Sequence, residues 1–364
     1  MAVTDEVYMA RAIELARRGW YTAHPNPRVG CVIVADDIIV GEGWHQRSGQ
    51  AHAEVNALQD AGALAAGATA YVSLEPCMHQ GRTPPCTGQL IAADIARVVY
   101  AVKDPHAIAG GGAQALRDAG IEVSGPVLEA DASAVNAGFL HRCEKALPRV
   151  TLKIAASLDG RTAMANGESQ WITGPAARSD VQRLRAASGA VITGIGTVLQ
   201  DDPAFTVRAE QLGLENAEAV AQRQPIRVIV DSQLRSRPEL EILHGPGATL
   251  IATAKPEGEV AGAEVISLPN AEGKVSLPAL LEELAARECN DVLVEAGAKL
   301  AGAFIAENLV DELIIYLAPK FLGAKAMPML DLRFDKMIEA LDLDIIDSRV
   351  VGKDLRITVR PLNK

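Results

Sequence analysis

The chain alternates short apolar runs with stretches in which apolar residues recur at helical spacing. This periodicity predicts an amphipathic helix over residues 5–18. Two apolar runs, 29–35 and 38–43, flank an Asp-Asp pair, which predicts a hairpin. A helix is predicted at 52–60 and a buried strand at 68–75. The Pro- and Gly-rich stretch 76–85 is predicted as a loop, with a short helix after it. A strand is predicted at 97–102, and a turn at 110–112 with another helix after it. Strands that alternate with helices indicate an α/β layered domain.

The pattern changes near residue 147, where Pro148 ends a helix and a new strand begins. We therefore predict two domains, 1–146 and 147–364. Strands of the second domain are predicted at 150–156, 189–193, 226–231, 248–252, 291–295, 312–317 and 355–360, and helices at 175–187, 277–288 and 298–307. This alternation indicates a second α/β domain, with the polar stretch 209–224 as a surface excursion.

Composition excludes several classes of protein. The chain has 364 residues, a net charge of −11 and only 4% aromatic residues, which argues against a nucleic-acid-binding protein. The first twenty residues have no apolar core typical of a secretory signal, and no apolar run reaches the roughly 18 residues of a membrane span. Five cysteines in such a chain favour a reduced, cytoplasmic protein in which clustered thiols bind metal or take part in catalysis.

The stretch His52-Ala53-Glu54 raises the question of a metal site. A second stretch, LEPCMHQGRTPPC at 74–86, contributes Cys77 and Cys86, and two thiolates with one imidazole leave a corner of a tetrahedral zinc site open. Zinc deaminases carry H-x-E and then P-C-x-x-C, with the glutamate as proton shuttle. Here eight residues separate the cysteines instead of two, so the loop between them must fold back on itself. The alternative is a structural zinc site in which Glu54 has no role.

Two other stretches are candidates for ligand binding. HPNPRVG at 24–30 is either a proline turn or a pocket rim on which the amide of Asn26 reads a base edge. In the second domain no G-x-G-x-x-G follows the first strand, and Gly194-Ile195-Gly196 alone is a tight turn. VEAGAKLAGAF at 294–304 is either an ordinary strand–helix junction or a helix N-terminus that binds phosphate.

Long motifs in a fixed order resemble one known family. They are HPNPRVGCVIV, GEGWHQRSGQAHAEVNAL, YVSLEPCMHQGRTPPC, LKIAASLDGRTAMANGESQWITG, GIGTVLQDDPAFTVR, RVIVDSQLR and VEAGAKLAGAF, and together they span roughly residues 5–360. The family is the bifunctional riboflavin-biosynthesis family, in which a diaminohydroxyphosphoribosylaminopyrimidine deaminase is fused to a 5-amino-6-(5-phosphoribosylamino)uracil reductase. The longer gap between the cysteines is typical of this family.

The resemblance implies a cytidine-deaminase-like three-layer fold for the first domain. His52, Cys77 and Cys86 would then bind Zn²⁺, and Glu54 would be the catalytic proton shuttle. Asn26, Arg82 and Asp104 fall on substrate-binding positions, and a guanidinium at 82 suits a substrate that carries a phosphate. The sequence departs from the commonest pattern at Met78 and His106, which affects substrate contacts and not the zinc chemistry.

For the second domain the resemblance implies a dihydrofolate-reductase-like fold that uses NADPH. Cofactor-binding positions are Ala155, Trp171, Thr197, Asp201, Ser232 and the run Gly297, Ala298, Lys299, Leu300, Ala301, Gly302 and Ala303. Substrate-binding positions are Ser169, Arg185, Phe205, Arg208 and Glu295. Two further interpretations rest on residue chemistry: Lys153 contacts the sugar near the reacting carbon, and Arg235 contacts the cofactor's 2′-phosphate.

The expected function is therefore a two-step conversion of a pyrimidine ribotide, first deaminated and then reduced with NADPH. One alternative is a nucleic-acid base deaminase with a C-terminal binding domain, and another is a deaminase with a non-catalytic nucleotide-sensing domain. The expected partners are the small-molecule substrate and further copies of the chain in a homo-oligomer, with no nucleic acid and no membrane.

Overall fold

The computed structural model describes residues 4–78, 85–106 and 110–362. The chain divides into two compact units, Met1–Ala146 and Leu147–Lys364. Within the described ranges, no helix has both the length and the apolar character that a membrane crossing requires.

The first unit contains one five-stranded sheet of order β2-β1-β3-β4-β5. Its strands are β1 (Gly30–Ala35), β2 (Ile38–Trp44), β3 (Thr69–Val72), β4 (Arg97–Tyr100) and β5 (Glu122–Ser124). Its helices are α1 (Asp5–Arg17), α2 (Ala53–Ala61), α3 (Cys86–Ala92), α4 (Gly112–Asp118), α5 (Glu129–Val135) and α6 (Ala137–Lys145). Strand β1 pairs antiparallel with β2 and β3, whereas β3, β4 and β5 run parallel.

Helices cover both faces of this sheet because the side chains of its strands alternate between two apolar cores. Val32 and Val99 face a core that includes residues of α1, α5 and α6. Ile33 and Val98 face the other core, built with residues of α2, α3 and α4. The first unit is thus a three-layer α/β/α domain.

The second unit is built on a nine-stranded sheet of order β11-β10-β9-β8-β12-β6-β13-β16-β15 and a two-stranded sheet of β14 and β7. The strands are β6 (Arg149–Ser157), β7 (Arg161–Ala163), β8 (Ala190–Gly194), β9 (Ile226–Val230), β10 (Thr249–Thr253), β11 (Glu264–Ser267), β12 (Asp291–Val294), β13 (Glu312–Ala318), β14 (Met327–Pro328), β15 (Leu343–Val351) and β16 (Asp354–Pro361). The helices are α7 (Pro175–Ala187), α8 (Ile195–Asp201), α9 (Ala209–Leu212), α10 (Ala217–Ala221), α11 (Leu277–Ala286) and α12 (Ala298–Ala306).

The seven strands from β11 to β13 are parallel, and β16 and β15 extend the sheet antiparallel. Such parallel strands need cover on both faces. Helices α11 and α12 contribute to the core on one face, which includes Leu152, Val294 and Phe304. Helix α8 contributes to a core that includes Val191 and Leu293, and α7 packs near Tyr316 of β13.

The amino ends of the strands carry ion pairs in both units. Arg97, the first residue of β4, bonds to both carboxylate oxygens of Asp5 at 2.8 and 2.9 Å and to Glu122 of β5 at 3.1 Å. Arg149, the first residue of β6, bonds to Glu312 of β13 at 2.6 Å. These contacts tie neighbouring strands together where each strand begins.

Most predicted elements are confirmed, with two kinds of difference. The segment 209–224 is more than a surface excursion, because it forms α9 and α10 and buries Leu212 and Val220. The predicted strand at 68–75 ends as β3 at Val72. The sequence did not indicate β5, β7, β11, β14 or β15, which are short or lie at a sheet edge.

Candidate functional sites

Three side chains with soft metal-binding atoms meet just beyond the carboxyl end of β3. His52 is the N-cap residue of α2, Cys77 lies in the loop after β3, and Cys86 is the first residue of α3. Nδ1 of His52 lies 3.1 Å from Sγ of Cys86 and 3.7 Å from Sγ of Cys77. The three ligand atoms all lie within 4.8 Å of one another.

This cluster fits one zinc ion. Ligand atoms about 2.0–2.3 Å from a tetrahedral zinc lie roughly 3.5 Å apart, close to the separations found here. Two thiols and an imidazole favour zinc over magnesium or manganese. The two cysteines lie close together although eight residues separate them in sequence. The backbone N–H of Cys86 donates to Sγ of Cys77, and the backbone N–H of Thr87 donates to the carbonyl of Cys77. Three protein ligands leave a fourth position open for water.

The two thiols of the cluster differ strongly in acidity. A hydrogen bond from Cys86, followed by one from His52, lowers the pKa of Cys77 well below its ordinary value. The same thiol–thiol bond raises the pKa of Cys86. The lowered pKa of Cys77 favours its thiolate, and thiolate is the form that binds metal.

Glu54 is the second residue of α2 and lies beside the cluster. Its side chain is buried, with 3% of the residue exposed. Burial raises the pKa of its carboxyl, and the negative charge of Cys77 adds to this effect. A carboxyl with a raised pKa takes up and returns a proton more readily near neutral pH, as a proton shuttle requires.

His45 connects Asn26 to this site, and sequence analysis missed it. The Nδ1 atom of His45 lies 3.1 Å from the carbonyl of Ala51, and Nε2 lies 3.1 Å from Nδ2 of Asn26. The ring meets the His52 ring edge-on, with centroids 5.4 Å apart. Burial lowers the pKa of His45, which favours the neutral ring, and its Nδ1 must donate because a carbonyl only accepts. Its position directly after β2 in GEGWHQ was the available signal.

Asp104 lies behind the same site and is held by a glutamate that sequence analysis also missed. Glu75 is buried, and its two oxygens accept from the backbone N–H groups of Asp104 at 3.2 Å and Ala113 at 2.8 Å. The backbone N–H of His106 donates to Asp104 at 2.9 Å. Burial raises the pKa of Asp104. Glu75 thus joins the loop that carries Cys77 to the loop that carries Asp104.

Of the two remaining positions on the deaminase side, Arg82 lies outside the described residues. Met78, one of the two departures from the family pattern, is 49% exposed.

The carboxyl ends of β6, β8 and β12 form the candidate site of the second unit. These strands are neighbours in the sheet, β8 leads directly into α8, and β12 leads through Glu295 to α12. Ligands bind open parallel sheets outside the carboxyl ends of their strands. Ala155 and Lys153 lie on the same half-buried face of β6.

Glu295 joins two cations at this edge. Arg185 on α7 binds it through two hydrogen bonds of 2.5 and 3.1 Å, and Nζ of Lys153 lies 3.6 Å from it. Burial alone would raise the pKa of Glu295, but Arg185 and Lys153 together lower it. Burial lowers the pKa of Lys153 against the pull of Glu295. The arrangement places one carboxylate between two basic side chains beside the sheet edge.

The other predicted substrate residues are placed differently. The guanidinium of Arg185 stacks over the ring of Phe205 at 4.8 Å. Arg208 is exposed, and its backbone N–H is held by Gln182 at 3.1 Å. Ser169 donates to Asp201, one of the cofactor positions, at 3.4 Å. The structure therefore groups Phe205 with Arg185 and Ser169 with Asp201.

The predicted cofactor run begins at the N-terminus of α12. Gly297 is the N-cap residue, and Ala298 to Ala303 fill the first turns of the helix. A Cβ at Gly297 would lie 3.8 Å from Oγ1 of Thr197, so the starts of α8 and α12 approach each other. Gly297 and Lys299 are exposed. Two adjacent helix starts at the end of parallel strands suit an anionic ligand.

Trp171, Ser232 and Arg235 lie in loops. Trp171 is 65% exposed, with the guanidinium of Arg178 stacked on it at 4.4 Å, so it is not a packing residue of the core. Oγ of Ser232 accepts from the backbone N–H of Val275 at 3.1 Å. Arg235 is largely exposed, 4.0 Å from Asp231.

Comparisons with known proteins agree with both sites. Residues 2–102 match the family model described as cytidine and deoxycytidylate deaminase zinc-binding region, and residues 148–357 match the RibD C-terminal domain. The riboflavin biosynthesis protein RibD of Escherichia coli (strain K12) is 50% identical, over 96% of this chain and 98% of its own length. That of Haemophilus influenzae is 46% identical, over 98% and 97%.

The chain belongs to the RibD family. The RibD of Acinetobacter baumannii superposes with a TM-score of 0.92 at 46% identity, covering 99% of both chains. A Thermotoga maritima structure described as a diaminohydroxyphosphoribosylaminopyrimidine deaminase/5-amino-6-(5-phosphoribosylamino)uracil reductase gives 0.87 at 32% identity, covering 98% of both. The RibD assignment confirms the family and the two-part fold expected from the sequence, and it gives no support to a nucleic-acid base deaminase.

Proposed function

We propose that this chain is a bifunctional enzyme of riboflavin biosynthesis. The first unit removes the 2-amino group of 2,5-diamino-6-ribosylamino-4(3H)-pyrimidinone 5′-phosphate. The second unit reduces the ribosyl group of that product to give 5-amino-6-ribitylamino-uracil 5′-phosphate. The observation that carries the proposal is the cluster of His52, Cys77 and Cys86 beside the buried carboxyl of Glu54, in a chain that matches RibD relatives along nearly its whole length.

For the deamination, His52, Cys77 and Cys86 hold the zinc ion and Glu54 moves protons. Bound zinc makes a water molecule a stronger acid and therefore a better nucleophile at neutral pH. Glu54 would accept a proton from the attacking water and pass protons to the amine, which would leave as ammonia while the water oxygen takes its place on the ring. Asn26, Arg82 and Asp104 orient the substrate.

For the reduction, the edge formed by β6, β8 and β12 binds cofactor and substrate side by side. NADPH, when bound, supplies a hydride to C1′ of the ribosyl group. We assign the cofactor's phosphates to the start of α12 at Gly297 to Ala303, with Thr197 beside it, and the rest of the cofactor to Ala155, Trp171, Asp201 and Ser232.

The substrate positions follow from the charges at the same edge. Arg185 and Arg208 contact the substrate phosphate, and Ser169 and Phe205 border the pocket. Lys153 contacts the sugar near C1′, and Glu295 holds its ammonium in place. Arg235 is the candidate contact for the 2′-phosphate.

We further propose that the protein acts in the cytoplasm as a homo-oligomer. All five cysteines lie in the described part of the chain and none of them forms a disulfide, which supports a reducing compartment.

The decisive experiment follows NADPH oxidation with only the diamino-pyrimidinone ribotide supplied. Wild type oxidises NADPH, whereas Glu54→Gln, which keeps the shape of the side chain but cannot shuttle a proton, loses about 100-fold or more of the rate. Supplying the deaminated compound restores oxidation by the variant, and its zinc content equals that of wild type. Equal oxidation of the undeaminated compound by both proteins would refute the order of steps.

A further inference from the structure

Residues 205–208, the substrate segment, carry two of the proposed substrate contacts, although they form neither a helix nor a strand. Phe205, Thr206 and Val207 are buried, whereas Arg208 is exposed. The φ of Phe205 is 52°, in the left-handed region that a bulky residue seldom adopts. A buried segment without regular structure needs other partners for its backbone groups, and a strained residue persists only where its surroundings hold it. The contacts of this segment therefore decide where the two substrate contacts lie.

Two glutamine side chains supply partners for the backbone of the substrate segment. Oε1 of Gln224 accepts from the N–H of Val207 at 2.8 Å, and Nε2 of Gln224 donates to the carbonyl of Val207 at 2.9 Å. The same Nε2 donates to the carbonyl of Ala221 at 2.8 Å. Oε1 of Gln182, which is buried, accepts from the backbone N–H of Arg208 at 3.1 Å. Side chains from outside the segment thus set the backbone positions of Val207 and Arg208.

Helix α7 holds the substrate segment from one of its faces. Gln182 and Arg185 are three positions apart on this helix, so they lie on the same face. Gln182 bonds to the backbone of Arg208, and the guanidinium of Arg185 stacks over the ring of Phe205 at 4.8 Å. The two arginines that we assign to the substrate phosphate are therefore connected through one turn of α7 and the backbone of the substrate segment.

The segment 209–224 returns the chain to the same helix. Arg223 donates to the carbonyls of Ala186 and Ser188 at the carboxyl end of α7, where the helix dipole also favours a cation. Gln224 follows directly and reaches the backbone of the substrate segment. The polar stretch that the sequence indicated as a surface excursion thus ends on a contact that fixes the proposed substrate residues.

We propose that Gln224 and Gln182 are positioning residues of the reduction. They place Arg208 so that its guanidinium and that of Arg185 bind the same substrate phosphate. Each glutamine acts through the backbone of the substrate segment and not by contact with the substrate. Bidentate bonds from a guanidinium to a phosphate depend on position and orientation, so a small shift of this backbone weakens them. The inference rests on the proposed function, because it takes Arg208 as a phosphate contact.

A comparison of the deaminated ribotide with the same compound without its phosphate tests this role. Gln224→Met and Gln182→Met keep roughly the length of the side chain but lose the bonds to the backbone. In assays of NADPH oxidation, we expect each variant to lower kcat/KM for the ribotide about tenfold, mainly through KM. The kcat/KM for the dephosphorylated compound should stay within about twofold of wild type. The ratio of the two values, the phosphate preference, should therefore fall, which a general loss of structure would not produce.

Two further substitutions serve as references. Arg208→Ala removes the proposed phosphate contact itself and should lose the same phosphate preference. Adding Gln224→Met to it should cost little more, because the glutamine acts through Arg208. Oγ of Ser179 donates from α7 to the carbonyl of Gln211 at 2.5 Å, so Ser179→Ala breaks a bond between α7 and the segment 209–224 without touching the substrate segment. It should keep the wild-type preference.

The outcomes separate this inference from the proposed function. If Arg208→Ala loses the phosphate preference while both glutamine variants keep it, Arg208 remains a phosphate contact and the positioning role is overturned. Equal losses of kcat/KM for both compounds, in variants that bind NADPH as wild type does, would assign the glutamines to stability alone. If Arg208→Ala keeps the preference, the proposed phosphate contact is wrong and the inference falls with it. Should Gln224→Met fail to bind NADPH, Gln182→Met, which removes a single bond, carries the test.

Discussion

Asn136 holds the loop that carries Asn26, although it lies more than a hundred residues away. Its Oδ1 accepts from the backbone N–H of Arg28 at 2.7 Å, and its Nδ2 donates to the carbonyl of the same residue at 2.8 Å. Arg28 in turn donates to the carbonyl of Val135 at 2.8 Å. The amide of Asn136 therefore acts as a backbone partner for the segment after Asn26.

We predict that Asn136→Ala impairs deamination through substrate binding. The backbone groups of Arg28 would lose buried partners, at a cost of about 1–3 kcal/mol, and Asn26 would lose its fixed position. The KM for ammonia release should rise about tenfold, with a smaller change in kcat. Arg97→Gln is the control, because it breaks partly buried and exposed polar contacts at the amino ends of β4 and β5. A KM equal to that of wild type would show that Asn136 serves stability alone.

The triad of Lys153, Glu295 and Arg185 leads to a prediction about pH. Glu295 raises the pKa of Lys153 against burial, so Glu295→Gln removes this support and leaves the repulsion from Arg185. The ammonium should then lose its proton at lower pH. We expect the alkaline limb of the rate profile for NADPH oxidation to move to lower pH. Glu312→Gln, which breaks an ion pair at the other end of β6, should leave the limb in place.

Sequence analysis found residues whose signal is local and missed residues whose role comes from distant contacts. His52 and Glu54 are two positions apart, and the Pro-Cys pair at Cys77 completes the motif of a zinc-dependent deaminase. His45, Glu75 and Asn136 act by bonding to backbone or side chains of other loops. The position of His45 after β2 marks it as a candidate, but neither that position nor the position of Asn136 between two helices reveals which groups these residues bond to.

At the scale of elements, Asp159 anchors the turn after β6 to a later loop. Its carboxylate accepts from Ser157 and from the backbone N–H groups of Leu322 at 3.1 Å and Gly323 at 2.7 Å. The bond from Ser157 first, and those backbone groups next, lower the pKa of Asp159 to about 2. The carboxylate form therefore holds the two loops together.

We predict that Asp159→Asn lowers the melting temperature in a pH-dependent way. The pKa of this carboxyl is lower in the folded state than the ordinary value of 3.8, so its stabilising effect is complete above about pH 4. The effect is lost as the pH falls towards 2. Melting curves of wild type and variant should therefore differ most above pH 4 and converge in acid. A difference that stays constant down to pH 2 would contradict this.

Sequence periodicity located the central strands and missed three of the four edge strands of the two large sheets, β5, β11 and β15, for a physical reason. Central parallel strands such as β8 and β12 are buried on both faces, so they are continuous apolar runs. Strand β15 mixes Ile345 and Val350 with charged residues and is exposed along most of its length, so it has neither a continuous run nor a clean alternation. The segment 209–224 is polar overall, and its two buried residues are too few to show as a pattern.

At the scale of the whole molecule, each unit has its own core and its own candidate site. The zinc ligands all come from the first unit, and the proposed NADPH residues all come from the second. Neither chemistry needs a residue of the other unit among those assigned.

We therefore predict that removal of zinc separates the two activities. A strong chelator should abolish ammonia release, because His52, Cys77 and Cys86 have no ion to hold, and added Zn²⁺ should restore it. NADPH oxidation with the deaminated compound should keep roughly its full rate. Parallel assays on one chelated sample measure both. Loss of both activities, with NADPH binding also lost, would show that the second unit depends on the metal.

In both sheets, the residues proposed for catalysis and the residues that stabilise the strands lie at opposite ends of the strands. The proposed reacting groups lie beyond the carboxyl ends of the strands, whereas Arg97 with Asp5 and Arg149 with Glu312 fasten the amino ends. Because the two groups of residues are separated, substitutions that affect stability and substitutions that affect catalysis can be made independently. Thermostabilising substitutions, affinity tags and reporter fusions can be placed at the amino ends of the strands, because new side chains there meet ion pairs and not substrates. Selection for stability at the amino ends therefore leaves the catalytic residues at the carboxyl ends free to change.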